Sequence, residues 1–212
     1  MRNSNLIKIW LIKDKYSFKP ITDEEELLAR NLTLLRGNQF RHSRGYVREV
    51  LSSLFGIPPL KIPLNSPPGK PPELPLKFGY ISFSHCNDCL LICWSTKTIG
   101  VDIERKDRLF DHMKIMDVFY SETEKKYIRL LKKSYQKNAI LKLWNLKEAA
   151  IKLQRGRIVN DLRLWLINEN FKDAFHILNE KRIKVFHMNY QNWSVGLASN
   201  DEIINPIICI YN

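Results

Sequence analysis

"GYISFSHCNDCLLICWSTKTIGVDIE", residues 79–104, decides how this chain folds. Aromatic and β-branched residues fill it, and the turn-forming CND and TKT cut it into three runs. That pattern predicts an antiparallel meander of three strands. The last run, IGVDIER (99–105), carries two acids where a buried strand would have apolar residues. In a strand, residues two apart share a face, so Asp102 and Glu104 project together while Val101 and Ile103 face the other way. In open water the pair costs little; in a cleft each raises the other's pKa unless a cation sits between them. An ordinary polar strand face and a divalent-metal site both account for DIE alone.

Upstream, GIPPL (56–60) and NSPPGKPPELP (65–75) form a Pro-rich connector that cannot continue a helix. Before it, NQFRHSRGYVREVLSSLFG sets Phe40, Tyr46, Val47, Leu51 and Phe55 at helical spacing and stops at Gly56. The first half reads strand, helix, connector, strands. Residues 111–154 read as mainly helical with a break at YSETE, and KRIKVFHMNYQNWSVGLASN returns to strands. The chain is therefore expected to be α+β. Two similar α/β subdomains, 1–105 and 106–212, would stand in a pseudo-twofold arrangement, each a small mainly antiparallel sheet packed on helices. The active site is expected at their interface, although no sequence repeat relates the halves.

Composition narrows the class. Forty-four per cent apolar residues and no long polar tract describe a folded chain. The run Leu6–Ile12 is broken by Lys8 and is far short of the ~20 apolar residues of a membrane span. A soluble cytoplasmic protein is expected. Cys86, Cys89, Cys93 and Cys209 are too few and too clustered for a secreted disulfide framework. Zinc on CNDC would have to recruit His42 or His112 without motif support, so the cysteines read as incidental. The formal charge of +12 attracts polyanions: nucleic acid, an acidic protein or a phosphorylated small molecule. Its runs, Arg30 to Arg48 and Lys125 to Lys137, also suit solvated helix faces.

A third carboxylate bears on the acids of the strand. In LWNLKEAAIKL (143–153), Glu148 falls on the stripe of Leu141, Trp144 and Ile151, which should face the interior. An exposed pair with Lys152, four residues on, yields only about 0.3–0.5 kcal/mol, too little to justify burial. A metal or a ligand phosphate is the stronger partner, and carboxylate oxygens suit Mg²⁺.

GVDIE followed by WNLKEAAIK resembles the two-part signature of the Sfp-type 4′-phosphopantetheinyl transferases. GKP (69–71), FSHC (83–86) and FYSETE (119–124) resemble three further motifs of that family in the same order. The likeness covers residues 69–152, while the first 68 residues and the tail match only in general pattern. It implies transfer of the phosphopantetheine arm of coenzyme A to a serine of an acyl, peptidyl or aryl carrier protein, with release of adenosine 3′,5′-bisphosphate. It implies Mg²⁺, with Mn²⁺ as an alternative, held by Asp102, Glu104 and Glu148.

The catalytic candidates are Glu124, Glu148 and Lys152. Glu124 is the candidate general base, although Ser121 and Glu124 also read as a helix capping box. Lys152 would hold a phosphate or relay the proton. Lys70, Ser84, His85 and Lys152 are expected against coenzyme A phosphates, with Arg41 and Arg44 for the 3′-phosphate and Arg36 and Arg48 as competitors. Gln39 stands where the family often has an arginine, and Cys86 replaces a serine. RGR (155–157) resembles the family's GxG, with Gly156 as the helix terminator. An acidic carrier would account for the positive charge, with Phe119, Tyr120, Tyr127 and Ile128 at its docking surface or else packed in the core. A monomer that binds neither nucleic acid nor membrane is expected. The competing classes are a basic nucleic-acid-binding module and a non-catalytic relative that binds coenzyme A or a carrier.

Overall fold

The computed structural model describes residues 6–13, 17–203, 205–209 and 211, with the backbone alone at 158 and 159. Its strands are β1 (Ile7–Lys13), β2 (Tyr80–Cys86), β3 (Cys89–Ser95), β4 (Ile99–Arg105), β5 (Trp165–Ile167), β6 (Asp173–His176), β7 (Arg182–Tyr190), β8 (Trp193–Ser199) and β9 (Ile207–Cys209). The α-helices are α1 (Asp23–Arg30), α2 (Leu34–Phe55), α3 (His112–Phe119), α4 (Glu122–Leu130), α5 (Lys133–Gln154) and α6 (Ile158–Asp161). The chain is α+β: one sheet has the order β2-β3-β1-β9 and the other β4-β8-β7-β6-β5. All pairings are antiparallel except β1 with β9.

Four layers follow from which face of each element is apolar. Tyr46, Val47, Val50 and Leu51 of α2 pack on Trp10, Ile12, Leu90 and Ile92 of the first sheet. The opposite face of that sheet, Ile7, Ile9, Leu91 and Cys93, meets Val101, Ile103, Val195 and Leu197 of the second. The far side of the second sheet is covered by α5 through Ile140, Leu143, Leu146 and Ala150, with α3 and α4 adding Met116, Tyr120 and Ile128. Two 22-residue helices thus clasp two stacked sheets, each layer burying the stripe that its sequence period defines.

The expected helix limits hold at two caps. Gly56 ends α2 in the left-handed conformation. Ser121 and Glu124 form the reciprocal capping box that separates α3 from α4.

Two expectations are corrected. The three runs of residues 79–104 do not form one meander, because β4 leaves β3 and pairs with β8 in the second sheet. Strand propensity marks a strand but not its partner, and β4 already presents Val101 and Ile103 to the space between the sheets. The terminator of α5 is also not Gly156: Arg155 takes the left-handed cap, with φ 62° and ψ 29°. The sequence halves 1–105 and 106–212 each lend a strand to the other's sheet, β4 to the second and β9 to the first.

Helix α5 lies unusually close to the second sheet because two strand residues have no side chain. A Cβ on Gly100 would run into the carbonyl oxygen of Ala149 and come within 2.5 Å of Leu153 N. One on Gly196 would come within 2.5 Å of Asn145 O. Glycine at both positions lets backbone meet backbone, which carries Glu148 up to Asp102. Among the described residues, no helix is long and apolar enough to cross a membrane.

Candidate active site

The edge strand of each sheet supplies one wall of a cleft. β2 lies against β4 and is joined to it by side chains: Ser82 Oγ accepts from Val101 N at 3.1 Å, and Ser84 Oγ donates to Asp102 Oδ1 at 2.8 Å. Lys152, from the last turn of α5, donates to both Ser84 Oγ and Asp102 Oδ1 at 2.7 Å and stands 4.0 Å from Glu148 Oε2. The cleft over this knot has a volume of about 790 Å³ and is lined by Arg44, Lys70, Ser84, His85, Asp102, Glu104, Glu148 and Lys152, along with residues of the Pro-rich connector. Eight of the expected site residues are therefore brought to one cavity.

Positive charge is short at the acids. Asp102 is 3% exposed, and its Oδ2 is buried with no hydrogen-bond partner among the described residues. Burial, then the charge of Asp102, raises the pKa of Glu148 to about 8. The same two causes in the same order raise that of Glu104, although Glu104 also pairs with Arg108. Among the described residues, no three His, Cys, Asp or Glu side chains are drawn together as a ready metal cluster. The ammonium of Lys152 lies against Asp102 instead.

Glu124 is not in this cleft. It is 5% exposed, and its carboxylate accepts from Ser121 N at 2.8 Å, Ile167 N at 3.1 Å and Lys147 Nζ at 2.8 Å. Lys147 is wholly buried and donates also to Leu162 O and Phe119 O. The capping box thus forms as expected at Glu124, which is held in addition by Ile167 N and by a buried lysine that the sequence reading had passed over.

The expected arginines divide in the same way. Arg41 does not line the cleft: Nε and Nη2 hold Glu26 at 2.8 and 2.9 Å. Arg48, 3% exposed, is bound to Glu25 and to the carbonyls of Pro59 and Ile62. Arg44 reaches the cleft, but it packs on the rings of Phe40 and Phe83 and donates twice to Ser66 O and once to Ser43 Oγ. Burial lowers its pKa to about 10. Five guanidinium donors leave two for a ligand.

Four of the aromatic and apolar residues considered for docking lie in or against the core: Tyr120 and Ile128 are buried, and Phe119 and Tyr127 pack against them. Cys86, Cys89, Cys93 and Cys209 form no disulfide among the described residues, and burial pushes the Cys86 thiol up to about 12. Sequence reasoning missed Glu73 and Arg155, which line the cleft from opposite sides. A charged residue amid the prolines, and an arginine beside the glycine of RGR, were the available signals.

An enzyme built this way, with acids and a lysine gathered between two sheet edges and a basic wall facing them, is suited to a phosphorylated substrate. The model of the 4′-phosphopantetheinyl transferase superfamily matches residues 98–204, which hold Asp102, Glu104, Glu148 and Lys152. The chain belongs to that superfamily and is a transferase of its phosphopantetheinyl class. A comparison with curated proteins found no match.

Proposed function

We propose that the protein moves the 4′-phosphopantetheine arm of coenzyme A onto a serine of an acidic apo carrier protein, as an Sfp-type enzyme, in a Mg²⁺-dependent reaction. The observation that carries this reading is the convergence of Asp102, Glu104, Glu148 and Lys152 with Lys70, His85 and Arg44 on one ligand-sized cleft. In the reaction the serine oxygen bonds to the pantetheine-bearing phosphorus, and that phosphorus loses its bond to the bridging oxygen. The electron pair leaves with adenosine 3′,5′-bisphosphate.

Each wall has a task. Lys70, His85 and the spare donors of Arg44 hold phosphate oxygens, since fixed cations there orient the diphosphate for in-line attack. Lys152 keeps Asp102 in place and offers its ammonium to the same phosphates. With Glu124 bound elsewhere, Glu148, which lines the cleft beside Asp102 and Lys152, takes the serine proton.

A divalent cation fits the acids on three counts. Asp102 Oδ2 is buried without a hydrogen-bond partner among the described residues, Glu104 and Glu148 hold protons more tightly than usual, and the donors are all carboxylate oxygens, the set preferred by Mg²⁺ or Mn²⁺. Asp102, Glu104 and Glu148 would hold it. Bound there, such an ion supplies neutralisation of the charge that builds on the bridging oxygen.

The carrier docks in this reading through charge: the chain carries +12, and Leu109, Met113, Leu130 and Tyr135 stand exposed among the lysines of residues 106–137. The same reading takes residues 1–105 and 106–212 as subdomains flanking the site, and the protein as a cytoplasmic monomer. The test is incubation with coenzyme A, Mg²⁺ and several apo carriers, followed by intact mass. Addition of one phosphopantetheine to a carrier, abolished by Asp102→Ala, is expected. No addition to any carrier overturns the transferase reading; tight coenzyme A binding without it points to a non-catalytic relative, and tight RNA or DNA binding to the nucleic-acid class.

A further inference from the structure

Arg155 closes α5 in a conformation that suits glycine better than arginine. Its left-handed φ and ψ form the helix end at which glycine is usual, because a Cβ crowds the backbone there. Its amide donates to Ile151 O and Lys152 O, and the next amide, Gly156 N, donates to Ile151 O at 2.9 Å. The backbone therefore does the capping, and the cap would be easier with glycine. The arginine side chain has another employment: it reaches over the cleft and pairs with Glu73 of the Pro-rich connector.

That pair is built to be exchanged. The two side chains are 55% and 44% exposed, and exposed ion pairs are weak. Glu73 is fixed at the rim by its backbone, with N donating to Asn65 O at 2.8 Å and O accepting from Asn65 N at 3.0 Å. Its carboxylate also has Asn65 Nδ2 at 3.5 Å, so releasing Arg155 needs side-chain rotation and no unfolding of the connector. Glu73 engages one guanidinium nitrogen, Nη1, whereas a phosphate can take two parallel donors of the fork and brings up to about two charges against one. Lys152 also holds Asp102, and Arg44 spends three of its five donors on Ser66 O and Ser43 Oγ, so Arg155 would add a full guanidinium to the cleft that Lys70, His85 and these two share.

We infer that Arg155 is a phosphate-binding residue of the cleft and that Glu73 occupies it until the ligand enters. The inference rests on the coenzyme A reading above. Calorimetric titration with coenzyme A and with dephospho-coenzyme A, on the unaltered protein, R155G and E73Q, tests it. R155G should weaken coenzyme A binding about fivefold to tenfold, the size of one charge-assisted contact, while its melting temperature stays equal or rises because glycine suits the cap. E73Q should tighten binding about twofold to threefold by removing the competing anion. A loss in R155G that persists with dephospho-coenzyme A assigns the contact to the diphosphate; a loss that vanishes assigns it to the 3′-phosphate. Equal affinity in R155G, weaker binding in E73Q, or a lowered melting temperature in R155G overturns the inference, the last because the pair would then be a structural strap. If the unaltered protein binds coenzyme A and the variants match it, this inference alone fails; if the unaltered protein binds neither ligand, the coenzyme A reading fails as well.

Discussion

Replacing Glu124 by Gln should unfold the protein before it slows the chemistry. The carboxylate uses both oxygens, Oε2 for Ser121 N and Lys147 Nζ and Oε1 for Ile167 N. A glutamine has one acceptor oxygen, so it gives up a backbone partner and also leaves the ammonium of Lys147 without its counter-charge. Lys147 is wholly buried, with Leu162 O and Phe119 O as its further acceptors among the described residues. Breaking one side of a buried ion pair costs about 3–5 kcal/mol. A second route gives the same ceiling: Lys147 can shed its proton, and moving a lysine from its ordinary pKa to neutrality at pH 7 costs about 5 kcal/mol. Burial already lowers the Lys147 pKa, opposed by Glu124, so the variant takes the cheaper part of that range. Urea unfolding of the wild type, Glu124→Gln, Lys147→Met and the double variant measures the effect, with turnover per folded molecule recorded alongside. Both single variants should lose about 3–4 kcal/mol, and the double variant should recover more than half of one loss, since two neutral side chains leave no unpaired charge. The folded fraction of Glu124→Gln should transfer the arm at close to the wild-type rate. A Glu124→Gln protein with an unchanged unfolding midpoint and no turnover refutes this account and restores Glu124 as the general base.

Three further outcomes follow from other parts of the molecule. Asp102→Ala should lower transfer at least about a thousandfold, as loss of electrostatic stabilisation at a reacting phosphate does, with near-wild-type circular dichroism; residual rates above a tenth of wild type would remove Asp102 from the chemistry. Gly100→Ala should cost about 3 kcal/mol or more in unfolding free energy, an overpacking penalty at the high end, because its Cβ meets the backbone of α5; an unchanged midpoint would show that α5 is free to shift. His187, whose Nε2 is 2.8 Å from Ser194 Oγ, has its pKa lowered to about 4 by burial and then by Lys142. The unfolded chain therefore binds the proton more readily between about pH 6.5 and 4, so stability is full above that window and falls as pH drops through it. Between pH 7.5 and 5 the loss is at most about 2 kcal/mol and should be absent from His187→Asn; equal pH dependence in both proteins would rule out His187 as its source.

Much of the site was legible in the chain. The two-residue strand period put Asp102 and Glu104 on one face, and the helical period turned Glu148 inward. The motifs GKP, FSHC, GVDIE and KEAAIK named residues of one cleft because they carry chemistry at fixed spacing, whereas FYSETE named a glutamate that lies outside it. The arginines were not legible in the same way. Arg41, Arg44 and Arg48 recur along α2, yet Glu26 and Glu25 claim the first and last, and only Arg44 reaches the cleft. A cation's partner depends on which acid the fold brings near, and α1 supplies those acids from a different helix.

By itself the sequence determined the α+β class, the capping box at Ser121 and Glu124, the acidic pair on one strand face and the inward glutamate. All of these are set by the period of a regular element or by groups within four residues. The tertiary structure decided what depends on contacts between distant segments. It moved β4 from the expected meander into the second sheet, gave Glu124 to Lys147, set Lys152 on Asp102, and placed Arg155 opposite Glu73 across the cleft. The physical reason is that a local pattern fixes which face a side chain occupies, whereas burial and the opposing charge fix what it is paired with. Gly100 shows both levels at once: its missing side chain is plain in the sequence, but only α5, docked on β4, shows what would fill that space.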